Sequence, residues 1–209
     1  METPQNERPY NLNGGWTMFS TSKEELSALF VKIGDISIGP NHIHFDNYPF
    51  APSIAFHKKT LAADEIVNID LKGMPPTIRI GNELIFVPAT MNTELAEFAA
   101  TNHIPVVDRK DIWSWLLEPF LDTEYDQKTH ERLSGLLASY GLTEEKVVAI
   151  RDEVQIQMLK YNFDTMLWDW CHLGAMDVLS AMRTKYDAEQ FADFYRRVME
   201  IALLGRGDS

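Results

Sequence analysis

The spacing of apolar residues changes repeatedly along this chain. Residues 1–15 follow no period and are rich in Pro, Asn and Gly, which predicts a loose start. From Thr21 the apolar positions Leu26, Leu29, Phe30 and Ile33 recur at helical spacing. Thr21-Ser22 ahead of Glu24-Glu25 suits an N-cap, and Gly34 suits the end. Between 35 and 88 the period falls to two. It predicts strands at Ile36–Ile38, His42–Phe45, Ser53–His57, Glu65–Leu71, Thr77–Ile80 and Glu83–Val87, in one small, mostly antiparallel sheet. Gly81-Asn82 between β-branched runs is a two-residue hairpin signal. Residues 93–103 return to helical spacing behind Asn92 or Thr93 as cap. Ile104–Val107 then reads as a short strand that rejoins the sheet, with Pro105 favouring an edge.

From Asp108 the pattern is helical to the end. Asp108 caps a first helix carrying Ile112, Trp113, Leu116 and Leu117 up to Pro119. A second runs from Asp126 to Tyr140, and a third starts at Thr143 with Val147, Val148, Ile150, Val154 and Leu159. Asp164, with Asn162 beside it, starts a very apolar stretch through Met182. Asp187 starts the last helix, with Phe191, Phe194, Tyr195, Val198, Ile201 and Leu204 inward. The expected class is α+β: a loose segment at 1–20, a β-domain at 21–107 and a helical bundle at 108–209.

Trp113 and Trp115 are two positions apart, as are Trp168 and Trp170. On an α-helix such residues point about 200° apart. Residues 166–182 are apolar nearly all round, so that helix is central and both indoles can be buried. Trp113, Trp115 and Phe120 stand where the two halves join. They either wedge between sheet and bundle or form a surface for a partner or a second copy.

The 209 residues are enough to bury a sizeable core, and 45% of them are apolar. The net charge of −12 divides into −5 over residues 1–107 and −7 over 108–209. Acidity spread over both halves argues against nucleic acid and anionic membrane as partners. One cysteine, Cys171, rules out an internal disulfide and suits a reducing compartment; its apolar neighbours suit a buried thiol. The N-terminus has no apolar signal core and no apolar run is long enough to span a bilayer, so the cytoplasm is the expected location.

Chemistry is hinted at in one place. In Asn-His-Ile-His-Phe-Asp, residues 41–46, alternation puts Ile43 and Phe45 on the core face and His42, His44 and Asp46 on the other. Two imidazoles and a carboxylate could hold zinc or iron with an open position for water, and His57 could add a fourth ligand. The simpler reading is a strand with one wet side. Asp169 and His172, at helical spacing, suit a satisfied pair, with His172 bonded to Asp169 or to backbone. Phosphate loops, dinucleotide fingerprints, nucleophile elbows and zinc-protease motifs are all missing from the sequence.

Residues 35–102 resemble small bacterial pleckstrin-homology-like domains. The likeness is carried by the strand Ile36–Phe45, the segment Asp64–Asp70 and the hairpin Thr77–Val87 followed by a helix. It implies a binding scaffold. The chain departs from that family in having six strand segments where seven are usual, a strand after the helix, and no basic phosphoinositide loops. The reading from sequence is therefore a non-enzymatic interaction or regulatory protein for a protein or peptide partner, with no cofactor. The alternative is a zinc or iron enzyme built on His42, His44 and Asp46.

Overall fold

A computed structural model describes residue 29 and residues 31–121, 126–164 and 172–205. It has the expected α+β architecture, with two sheets where the sequence suggests one. The first sheet holds β1 (Ile36–Ile38), β2 (His42–Phe45) and β3 (Thr60–Ala62), all antiparallel. The second holds β4 (Asn68–Asp70), β5 (Thr77–Ile80), β6 (Glu83–Phe86) and β7 (Val106–Val107), in the order β6-β5-β4-β7. Gly81, with φ of 54°, makes the expected β5–β6 turn. Strand β7 returns beside β4 in parallel and lies at the edge, as Pro105 requires.

Two strand expectations fail for local reasons. Ser53–His57 is not a strand: Ile54–Lys58 forms helix α1. The Ser53 side chain accepts the Ala55 N–H at 3.1 Å, which is capping chemistry that the alternating pattern conceals. Glu65–Leu71 shrinks to β4 because the Glu65 carboxylate turns back to the Ala62 N–H at 2.9 Å and closes a short 3-10 turn. Strand β3 was not expected; three residues are too few to show a period.

Helix α2 (Asn92–Thr101) connects β6 to β7, and its Asn92 side chain donates to the Leu71 carbonyl rather than capping. Beyond it lie α3 (Ile112–Leu117), α4 (Gln127–Ser139), α5 (Glu144–Asp164), α6 (Ala175–Met182) and α7 (Ala188–Ala202). Asp126, Thr143 and Asp187 occupy the predicted cap positions, each accepting a backbone N–H three residues on. The cap of α3 is Asp111, not Asp108. Asn162 is also no cap: it is buried within α5 and its Nδ2 donates to the Phe120 carbonyl. The apolar stretch through Met182 is not one helix from Asp164, because residues 172–174 are not helical and α6 starts at Ala175. The expected helix at 21–34 lies almost wholly outside the described residues, although Leu29 is helical and buried. Trp168, Asp169, Trp170 and Cys171 lie outside them too.

One continuous apolar cluster runs through both halves. Helix α7 makes the join. Its Phe191 and Tyr195 rings stand 6.4 and 6.1 Å from Phe50, and its Tyr195 hydroxyl donates to Glu83 Oε1 at 2.6 Å. Met199 Sδ accepts the Leu84 N–H and Tyr48 Oη accepts that of Phe86, so side chains close the outer edge of β6. Leu204, expected inward, is 40% exposed. Leu204 belongs to the 3-10 turn after α7, where the helical stripe has ended. Arg151, 2% exposed, donates to the carbonyls of Leu116 and Trp115 and so satisfies the C-terminal end of α3 from inside the core.

Candidate functional site

Strand β2 alternates as its sequence dictates. Ile43 and Phe45 are buried at 0% and 1% exposure, and His42 and His44 turn outward. His44 is already engaged on both ring nitrogens: Nδ1 shares a hydrogen bond of 2.8 Å with Thr60 Oγ1, and Nε2 donates to Asp46 Oδ1 at 3.3 Å. His42 Nδ1 bonds instead to the neighbouring Asn41 side chain. His57 is on helix α1, exposed, with its ring edge against Phe56. Among the described residues no three His, Cys, Asp or Glu side chains gather as a metal would need. The strand supplies alternate positions on one wet face, and hydrogen bonds within that face take up the ligand atoms of His44.

Trp113 and Phe120 are interior, at 1% and 6% exposure. The indole Nε1–H of Trp113 donates to the Val198 carbonyl at 3.0 Å, which fixes α3 against α7. Trp115, half-buried on the opposite side, packs on Tyr140 with 5.6 Å between centroids. Trp113 and Phe120 therefore wedge the interior and offer no free surface to a partner; of the three aromatics at the junction, Trp115 alone is partly open.

A cleft lies elsewhere, where the end of β4 meets the start of the bundle. Asp70, at 3% exposure, builds its wall. Its Oδ1 accepts the N–H groups of Lys72 and Gly73 at 2.9 and 3.2 Å, and its Oδ2 accepts that of Arg109 at 3.1 Å. One carboxylate thus fixes both the loop after β4 and the chain entering α3. A Cβ on Gly73 would stand 2.8 Å from the Pro75 carbonyl oxygen, so the loop turns too tightly for a side chain there. The loop projects Met74, which is 64% exposed. Leu84 and Phe86 form part of the floor, and Met176 of α6 stands on another wall; the cleft is small and shallow, with a volume of about 50 Å³.

Beside the cleft is a cluster of titratable groups. Asp111 caps α3 through Oδ1, and its Oδ2 accepts from His172 Nε2 at 3.0 Å. A carboxylate can only accept, so Nε2 carries the proton. The hydrogen bond to Asp111 holds His172 above its usual value of 6.5 against the opposing effect of burial. Asp177 lies close by and accepts from the Gly174 N–H at 2.8 Å and from the Tyr161 hydroxyl at 3.0 Å. Burial pushes the Asp177 carboxyl up, and burial likewise pushes the Tyr161 phenol up. Gly174 is hemmed in: a Cβ there would meet Asp111 Oδ2 at 3.0 Å and His172 Nε2 at 3.4 Å. Among the described residues the partner of His172 is Asp111, 61 residues away; Asp169, the local partner the sequence suggests, lies outside them. Nothing in the spacing of Asp111, His172 and Asp177 announces that they meet.

No family model, characterised protein or solved structure matches the chain. The likeness to pleckstrin-homology-like domains therefore rests on the residues quoted for it, and the site is interpreted from its own chemistry. No helix among the described residues is long and apolar enough to cross a membrane.

Proposed function

We propose that this is a non-enzymatic interaction protein and that it takes a peptide segment of a protein partner in the Met74 cleft. The observation that carries the reading is the exposure of Met74, at 64%, over a floor that includes Leu84 and Phe86. A large apolar side chain held out by a tightly bonded loop is costly in water and is well suited to covering an apolar residue of a partner. Methionine is flexible and polarisable, and Met74 faces a space shared with Met176, so the walls can adapt to their occupant. Acidity in both halves supports a protein partner over a phosphate backbone.

The test is selection of a displayed random-peptide library on the purified full chain, followed by binding measurements on synthetic peptides. The reading expects enriched peptides with a shared apolar residue, weakened about tenfold by Met74→Ser, roughly the worth of one lost apolar contact. If no peptide is enriched, or if the enriched peptides bind the Met74→Ser variant as well as the parent, the cleft is not the docking site.

A further inference from the structure

We infer that the charge on His172 sets the width of the cleft, which narrows when the imidazole is protonated and widens when it is neutral. The inference concerns the walls themselves and holds whether or not a peptide binds there. Two of those walls belong to different elements: Asp111 stands at the start of α3, and Ala175 and Met176 open the first turn of α6. The tie between them is the bond from His172 Nε2 to Asp111 Oδ2 at 3.0 Å. His172 makes it from two residues ahead of Gly174, the N-cap of α6. A Cβ on Gly174 would stand 3.0 Å from Asp111 Oδ2, 3.4 Å from His172 Nε2 and 3.8 Å from the Met74 carbonyl oxygen. The start of α3, the start of α6 and the Met74 loop therefore come together at this pair. Residues 172–174 belong to no helix or strand, so no ladder of backbone bonds holds them against α3. Both side chains of the pair reach solvent, at 27% and 35% exposure, and can exchange protons with it.

The groups around His172 make the tie depend on its proton. On the α3 side they are Asp111 and, in the 3-10 turn that follows α3, Glu118. On the α6 side the group is Asp177, which accepts the Gly174 N–H and the Tyr161 hydroxyl of α5. All three charged neighbours are carboxyl groups, and Asp111 and Asp177 act on each other as well. The cations that line the cleft are engaged outside this cluster: Arg109 Nη2 donates to Asn68, and Lys110 Nζ stands 3.9 Å from Asp108. A protonated imidazole is thus a counter-ion shared by a carboxyl group of α6 and one at the cap of α3, and its bond to Asp111 is charge-assisted. Loss of the proton leaves a weaker, neutral hydrogen bond and two carboxyl groups without that counter-ion. The segment ahead of α6 is then free to draw away from α3 and carry Met176 with it.

The experiment oxidises the full chain with dilute hydrogen peroxide between about pH 5.5 and about pH 9 and follows Met74 and Met176 by peptide mass spectrometry. Met74 is 64% exposed and serves as the internal reference; Met176 is half-buried on α6. The ratio of Met176 to Met74 oxidation cancels the reagent's own dependence on pH. The inference expects this ratio to rise severalfold as pH passes upward through the His172 midpoint, read by NMR on the same protein. His172→Gln carries no titrating charge and should hold the ratio high at every pH. Should that variant fail to fold, Asp111→Asn keeps an oxygen for the Ser114 N–H, removes the charge and should flatten the profile in the same way. Failure to enrich any peptide overturns the docking reading alone, because the oxidation ratio needs no ligand. A parent ratio that is flat across the His172 midpoint, or a rise that persists in either variant, overturns this inference and leaves the docking reading to its own test.

Discussion

Replacing Asp70 should be among the most damaging single changes in the β-half. Its carboxylate is 3% exposed and accepts three backbone N–H groups: two on Oδ1 from the loop, one on Oδ2 from Arg109. Hydrogen bonds to a charged group contribute about 1.5–3 kcal/mol each, and an orphaned buried donor costs about 1–3 kcal/mol. Asp70→Asn preserves one acceptor oxygen and can keep the Lys72 and Gly73 bonds at reduced strength. Its amide NH2 then faces the Arg109 N–H, donor against donor. We expect a loss of about 2 kcal/mol for Asn, and of roughly 3–5 kcal/mol for Ala, which frees all three donors. For a chain of this length that is roughly 4–8 °C in Tm for Asn and at least about 6 °C for Ala. Thermal and urea unfolding followed by circular dichroism give the two values. Amide exchange at Lys72, Gly73 and Arg109 shows whether the loss is local. An Asn variant as stable as the parent would refute the reasoning, as would equal costs for Asn and Ala.

The remaining predictions concern the bundle. Because the bond to Asp111 holds His172 above 6.5, the folded state binds the extra proton. That stability is complete below the unfolded value and is lost as pH rises through the folded one. Unfolding free energy should therefore fall above pH 6.5, and His172→Gln should remove that part of the decline. Gly174→Ala places a methyl carbon 3.0 Å from Asp111 Oδ2, so it should push the pair apart and lower the His172 titration midpoint, read by NMR. Arg151→Met fills similar space but abandons the carbonyls of Leu116 and Trp115; we expect a loss of about 2–4 kcal/mol in denaturant unfolding, and a loss under 1 kcal/mol would argue against a structural role for this guanidinium. Glu153 is held below the usual carboxylate range, first by its bond to Arg197, so its contribution is present at neutral pH and fades as pH falls. Glu153→Gln should accordingly flatten the acid limb of the stability profile.

The parts legible in sequence are those with a repeating signal or a cap of fixed chemistry. Ile43 and Phe45 alternate and are buried; Asp126, Thr143 and Asp187 cap the helices they precede. Three-residue strands such as β3 carry no period, and Ser53 capping α1 looks the same on paper as a polar residue in a strand. The candidate site was less legible still. His42 and His44 drew attention through local spacing, yet what matters for a ligand is convergence in space. Asp70, Arg109, Asp111 and His172 are brought together by β4, the loop entering α3 and the segment before α6. No spacing rule connects positions so far apart. Met74 is a methionine between Gly73 and Pro75, and its exposure is decided by where the Asp70 carboxylate ties the flanking backbone.

The closing of β6 by α7 has a consequence for synthesis. Leu84 N–H waits for a sulfur 115 residues further along the chain. At about 5–20 residues per second on the ribosome, that is a delay of roughly 6–23 seconds. Phe50 and Glu83 wait similarly for Phe191 and Tyr195. During that interval the nascent sheet presents an apolar face and an open hydrogen-bonding edge to other chains. Premature termination ahead of Ala188 would make the exposure permanent, so truncated products should be recovered with chaperones or in aggregates rather than as free half-molecules.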